Sequence, residues 1–213
     1  VSVRLVRSHV QQLRRDLQAA RLGRDLLDDK REAILRALLD RMPRREAAGA
    51  AAANAAHTAQ RTLCRARLEN GAGTVEAAAL AQPAVAAVDW LPGSVVGVPT
   101  PSLRGHVPPF APRYGAAPVT ANLDRAGEDY SALISAFIAF AEEDEAVRNL
   151  QSGLSRTIRR LRALEHVVIP GIERDLHAVA VALEEDERDD TVRQRQARTS
   201  RRTPWPLEPN ATP

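Results

Sequence analysis

The stretch RTIRRLRALEHVVIPGIERDL, residues 156–176, carries a Pro-Gly pair at positions 170 and 171. Such a pair ordinarily ends a helix, because proline has no N–H to donate and its ring clashes with the preceding turn. The apolar phase nevertheless runs straight through it. Leu150, Leu161, Ile172 and Leu183 recur every eleven residues, with Leu154 and Leu176, and Val168 and Val179, on adjoining rows. A chain that turned at Pro170 would resume in arbitrary phase. The continuity therefore predicts one long, kinked helix, and an eleven-residue recurrence predicts little supercoil or a slightly right-handed one.

Upstream of this stretch the helical pattern extends back through Val147, Phe140, Phe137 and Leu133 to about Ala121, and downstream it persists to about Arg198. The other end of the chain carries a matching stripe. Val6, Val10, Leu13, Leu17 and Ala20, then Leu27, Ile34 and Leu38, step by three and four as a coiled-coil seam does. Neither stripe is stable alone in water, since most helical stability comes from burying the apolar face. The expected architecture is all-α: a long antiparallel two-helix coiled coil of the N- and C-terminal helices. Shorter helices and a Pro-rich loop or small hairpin fill the middle.

The segments divide by composition. Residues 1–69 form the first coiled-coil helix, in which Pro43 predicts a kink or break and residues 44–69 are alanine-rich and strongly helix-forming. Residues 70–120 connect. Asn70, Gly71 and Gly73 read as a stop, and Thr74 as the restart of a short helix ending near Trp90. The proline density between 91 and 118 forbids helix and allows a short hairpin around Val95–Val98. Residues 121–198 form the second long helix. The last segment, 199–213, holds four prolines and two adjacent arginines and reads as a disordered tail.

Composition narrows the function. Only 3% of the residues are aromatic, which suits narrow helix–helix seams better than a thick core. Thirty basic residues, all arginine but Lys30, stand against 27 acidic ones, interleaved along the helices. Interleaving makes solvated, salt-bridge-laced faces and not a phosphate-tracking stripe, so nucleic acid is not an expected partner. No stretch approaches the apolar length of a membrane span, and no secretory signal opens the sequence. The reading is a soluble, cytoplasmic protein that meets a membrane only through partners and is not inserted in it.

No phosphate-binding glycine loop or dinucleotide fingerprint is present. The lone Cys64 excludes an internal disulfide and reads as a small side chain in a helix. His166 and His177 stand one eleven-residue repeat apart, about 16 Å along a helix, too far to share a metal. The acidic runs Glu142–Glu145 and Glu184–Asp190 read as solvated helix faces. No catalytic residue, cofactor site or metal site is therefore expected. Glu165 is the misfit, because it falls on the row of Leu154 and Leu176; Arg31 interrupts the N-terminal stripe in the same way. With Val6 opposite about residue 190, Arg31 comes opposite Glu165, which suggests an ion pair that fixes helix register.

These residues resemble a known family. Arg159-Arg160-Leu161-Arg162-Ala163-Leu164-Glu165-His166-Val167-Val168-Ile169-Pro170 is similar to the C-terminal signature of the D subunit of V-type/A-type ATPases, and the acidic, arginine-containing helix Leu183–Asp190 follows as it does there. Gly23-Arg24-Asp25-Leu26-Leu27-Asp28-Asp29-Lys30-Arg31-Glu32 resembles the family's Gly-His-Asp-Leu-Leu stretch. Gly97-Val98-Pro99, Pro108-Pro109 and Tyr114-Gly115 fit its middle. The likeness covers about residues 7–195. Arg162 replaces the usual asparagine, His166 the usual tyrosine, and Pro43 interrupts a helix the family runs unbroken.

The resemblance implies a non-catalytic central-stalk rotor component of a rotary ATPase that carries torque between the ATP-binding head and the membrane ring. Implied partners are a hexameric head of catalytic and non-catalytic nucleotide-binding subunits, the small F subunit of the stalk, and a funnel-shaped subunit linking to the ring. Its implied place is the cytoplasmic side of the membrane. Periodicity alone would also fit a free-standing coiled-coil scaffold or adaptor. The ordered residue blocks favour the rotor.

Overall fold

The computed structural model describes residues 7–82, 88–105, 107–114 and 120–200. Helix α1 spans Arg7–Asn70, α2 Ala72–Leu80, α3 Ala121–Ala163 and α4 Ile169–Ser200, with a π-helical turn, Leu164–Val168, joining α3 to α4. Between α2 and α3 lie four short strands: β1 (Val88–Leu91), β2 (Ser94–Val95), β3 (Val98–Pro99) and β4 (Ser102–Gly105). The all-α architecture expected from sequence is present, with the strands a minor insert. By its contacts the chain forms two compact units. One holds residues 28–159; the other holds residues 1–27 with 160–213.

Three local readings need correction. Pro43 does not break α1, which is helical on both sides of it. The proline and Leu39, whose carbonyl it leaves without a donor, are both exposed, so water can satisfy that carbonyl. The short second helix stops at Leu80, ahead of Pro83, because the residue before a proline is pushed out of the helical region. Trp90 accordingly belongs to β1, paired antiparallel with Leu103 of β4. The final helix continues to Ser200, so residues 199 and 200, assigned to the tail, are helical. Residues 201–213 lie outside the described residues, as does Val6.

In the unit of residues 28–159, α1 and α3 run antiparallel around an insert of strands. The hairpin β2–β3 turns on Val96 and Gly97, both at positive φ (51° and 74°), the conformation of a two-residue type I′ turn. Glycine adopts it freely; a β-branched valine does not. Val96 is 46% exposed and outside the buried cluster, so relief of the strained φ should outweigh lost packing and Val96→Asn is expected to stabilise the unit by about 1 kcal/mol in a denaturant titration. The hairpin delivers Val95 and Val98 to a cluster of Ile34, Leu38, Val147 and Leu150. Gly153 permits that approach: a Cβ there would stand 2.6 Å from a methyl of Val98. Gly153→Ala should therefore push the hairpin off α3, at a cost of about 1–3 kcal/mol readable in the same titration.

A second cluster closes the other end of this unit. Ala66 of α1, Val75 and Ala78 of α2, and Leu123 and Ala126 of α3 pack together with Leu63 and Tyr114. Polar clasps surround it. Asn70 exchanges two hydrogen bonds of 2.9 Å with Thr120, and the Asn122 amide donates to both oxygens of Glu69. Those donors, Asn122 first and Thr120 second, hold the Glu69 carboxyl below its usual range. The Tyr114 hydroxyl donates to Asp124. Burial, then that bond and the carboxylate charge, push its pKa up to about 12.

A tyrosine with a raised folded-state pKa contributes stability that is complete below the ordinary value near 10 and is lost as pH rises through about 12. Alkaline titration of unfolding stability should show this loss, and Tyr114→Phe should remove it.

Candidate functional site

The distinctive surface of the described residues is the helix pairing itself, and charged residues link the paired helices. In the unit of residues 28–159, Arg41 of α1 donates to both carboxylate oxygens of Glu143 on α3 at 3.0 Å. One turn further along α1, Arg45 reaches Asp144 at 2.6 Å, and its guanidinium lies 5.9 Å from the centroid of the Phe140 ring. Arg148 closes on the other oxygen of Asp144 at 2.7 Å. Asp144 is only 7% exposed, so two arginines neutralise a carboxylate that has left water. Neighbouring Glu142 accepts the backbone N–H of Leu103, tying β4 to α3.

The acidic run Glu142–Glu145 is thus not a solvated face. Three of its members bind across elements: Glu143 and Asp144 meet arginines of α1, and Glu142 meets the backbone of β4. The other acidic run behaves as expected: Glu184–Asp190 is exposed throughout.

The unit of residues 1–27 and 160–213 is held by a sparser set. Arg21 of α1 bonds Glu173 of α4 at 2.8 Å, an exposed pair. The register estimate places Arg21 opposite about residue 175, two residues from its observed partner. Leu13, Leu161 and Val179 are buried, while Val10, Leu17, Leu27, Ile172, Leu176 and Leu183 are half-buried. In the other unit Ile34, Leu38 and Leu150 are buried and Leu154 half-buried.

Val168 departs from the expected row. It is 40% exposed, and Ile169, at 9%, takes the buried place. The cause is the π-turn: the N–H of Ile169 reaches the carbonyl of Leu164, five residues back, and so delays the phase by one residue. The same delay turns Glu165 outward. The side chain of Arg31 lies 2.8 Å from Asp28, one turn back on its own helix.

Sequence reasoning missed Ala52, Ala59 and Ala66, which are buried at seven-residue spacing on α1. Their period was readable, but in an alanine-rich segment it has no contrast. Among the described residues no three His, Cys, Asp or Glu side chains group as they would around a metal ion. Cys64 is exposed on α1. No helix among the described residues is long and apolar enough to cross a membrane.

These features define a protein of paired long helices whose register is set by cross-helix ion pairs and whose middle carries a small β insert. The family model for the ATP synthase D subunit matches residues 9–199. The chain is 31% identical over 189 residues to the V-type ATP synthase D subunit of Thermus thermophilus, covering 88% of this chain and 83% of that protein. It is 30% identical over 179 residues to the A-type ATP synthase D subunit of Methanopyrus kandleri, covering 83% and 77%. The V-type ATP synthase D subunit of Deinococcus radiodurans is 29% identical over 175 residues, covering 81% and 77%. The chain belongs to the ATP synthase D subunit family.

Proposed function

We propose that this chain is the central-stalk rotor component of a V/A-type rotary ATPase, transmitting torque between the ATP-binding head and the membrane ion-translocating ring without catalysing chemistry itself. The match of the D subunit family over residues 9–199 carries this reading. The physical character of the chain supports it. A shaft needs helices that do not slide past each other, and the Arg41–Glu143 and Arg45–Asp144–Arg148 contacts oppose sliding. It also needs outer faces that exchange partners as they turn, which polar and scattered apolar contacts such as Leu22, Leu26 and Leu39 serve better than one deep hydrophobic lock.

In this reading residues 1–69 and 121–198 are the shaft. About Val6–Asp40, paired with about Leu161–Arg198, enters the hexameric head on the cytoplasmic side of the membrane. The connecting residues 70–120 face the small F subunit and the funnel-shaped subunit. Arg31 and Glu165 belong to the same proposal as a register pair, with Asp28 as the competing partner of Arg31. Both side chains keep access to water, so a double-mutant cycle on Arg31→Ala and Glu165→Ala should give a coupling of about 0.2–1 kcal/mol. Strictly additive losses would refute the pair.

The functional test is assembly and coupling. Affinity purification of the tagged chain should recover two different nucleotide-binding subunits and a small stalk partner. Vesicles bearing the complex should couple ATP hydrolysis to ion movement only when the chain is present. Full coupling in its absence would overturn the assignment.

A further inference from the structure

Between Leu164 and Ile169 the apolar stripe of the second unit takes a five-residue step. Before it Leu161 and Leu164 follow at three; after it Ile169, Ile172, Leu176, Val179 and Leu183 follow at threes and fours. A regular α-helix cannot keep a stripe across a five-residue step, because each residue advances the phase by about 100°. The π-turn absorbs the surplus residue, and none of its five side chains is buried. Past Ile169 stands Pro170, followed by Gly171, beside which a Cβ would meet nothing within 4 Å. One turn on along α4, the Arg174 Nε donates to the Pro170 carbonyl at 3.2 Å.

We propose that Pro170 is a pin that stops the π-turn from travelling along the C-terminal helix, and so fixes the rotational phase of the segment Ile172–Leu183. A π-turn moves toward the C-terminus when the next N–H exchanges its acceptor four residues back for the one five residues back. The next position is residue 170, and proline has no N–H, so the turn gains no hydrogen bond by extending onto it. Without the pin the turn can step onward, and every residue it passes is rotated by about 100°. A turn that ran out to the helix end would carry Ile172, Leu176 and Val179 off the seam. Travel in the other direction is opposed by packing, since it would lift the buried Leu161 and the half-buried Leu164 from theirs. In a shaft loaded in torsion, the pin keeps the C-terminal helix from slipping in phase. That purpose rests on the rotor reading; the pinning itself does not.

The test uses the full chain with Cys64→Ser as background and Val168→Cys or Ile169→Cys as reporters for maleimide labelling. With Pro170 present, Val168→Cys should label several-fold faster than Ile169→Cys. Adding Pro170→Ala, with helicity retained, should bring the two rates together and raise amide hydrogen exchange several-fold across residues 164–176. An unchanged ratio would overturn the proposal. So would equal rates in the presence of Pro170.

A chain lacking Val167 has no surplus residue to accommodate, so there Pro170→Ala should leave Ile169→Cys slow. If labelling accelerates in that chain too, the proline only stiffens the helix in general and the pin is refuted. The exchange comparison needs no cysteine and serves if a reporter variant fails to fold. Because all measurements are made on the chain alone, their failure is separate from any failure of ATP-driven coupling.

Discussion

Leu150→Ala is expected to lower the unfolding free energy by about 2–5 kcal/mol, more than any surface change on the helices. Leu150 and Ile34 are both at zero exposure, and they belong to one buried cluster that includes Val98 of the hairpin. Truncation there removes apolar contact and leaves a cavity. The helix pair cannot collapse into it, because the Arg41–Glu143 and Arg45–Asp144 contacts hold α1 and α3 in place. Ile34→Ala should cost a similar amount. The double variant should cost less than the sum, since the two side chains share one cavity. Urea titration with unchanged slope would register all three.

The second large effect is expected at Asp144. Asp144→Ala leaves Arg45 and Arg148 without their shared carboxylate, and breaking a buried pair by removing one partner costs about 3–5 kcal/mol. The value should fall near the lower end, because the two guanidinium groups keep access to water: the side chains of Arg45 and Arg148 are 43% and 70% exposed. Glu184→Ala is the matched comparison. Its ion pair with Arg188 is long and exposed, and its loss should change stability by no more than about 0.5 kcal/mol. Equal losses at the two sites would show that the helix pair is not locked by charge.

These two sites mark what the sequence could and could not disclose. The apolar stripes were legible because period alone reveals them: Ile34, Leu38, Leu150 and Leu161 are buried where the pattern put them. Asp144 was not legible. Its place in a run of acids suggests a solvated face, and the α1 arginine that covers it, Arg45, lies 99 residues away in the chain. The hairpin was legible from Gly97 amid the prolines, even though a valine occupies the other turn position.

Glu165 teaches a further lesson. As a polar residue on an apolar row, it suggests half of an ion pair, and that pairing with Arg31 stands as a proposal. In the structure it and the exposed Val168 belong to the π-turn that keeps the stripe in phase ahead of Pro170. In this chain the surplus residue is readable as a five-residue step from Leu164 to Ile169 between runs of threes and fours. Pro43 carries the opposite warning. A proline on an exposed helix face, flanked by strong helix formers, neither ends the helix nor introduces a π-turn.

The central claim, that this chain turns within its complex, has a direct test in its single cysteine. Cys64 is exposed on α1 and accepts a biotin–maleimide handle for a bead or a gold rod. With the head immobilised and every other subunit free of cysteine, added ATP should drive the probe round in one direction, stepwise at low ATP. A probe that stays fixed while the same complexes hydrolyse ATP and move ions would contradict the account.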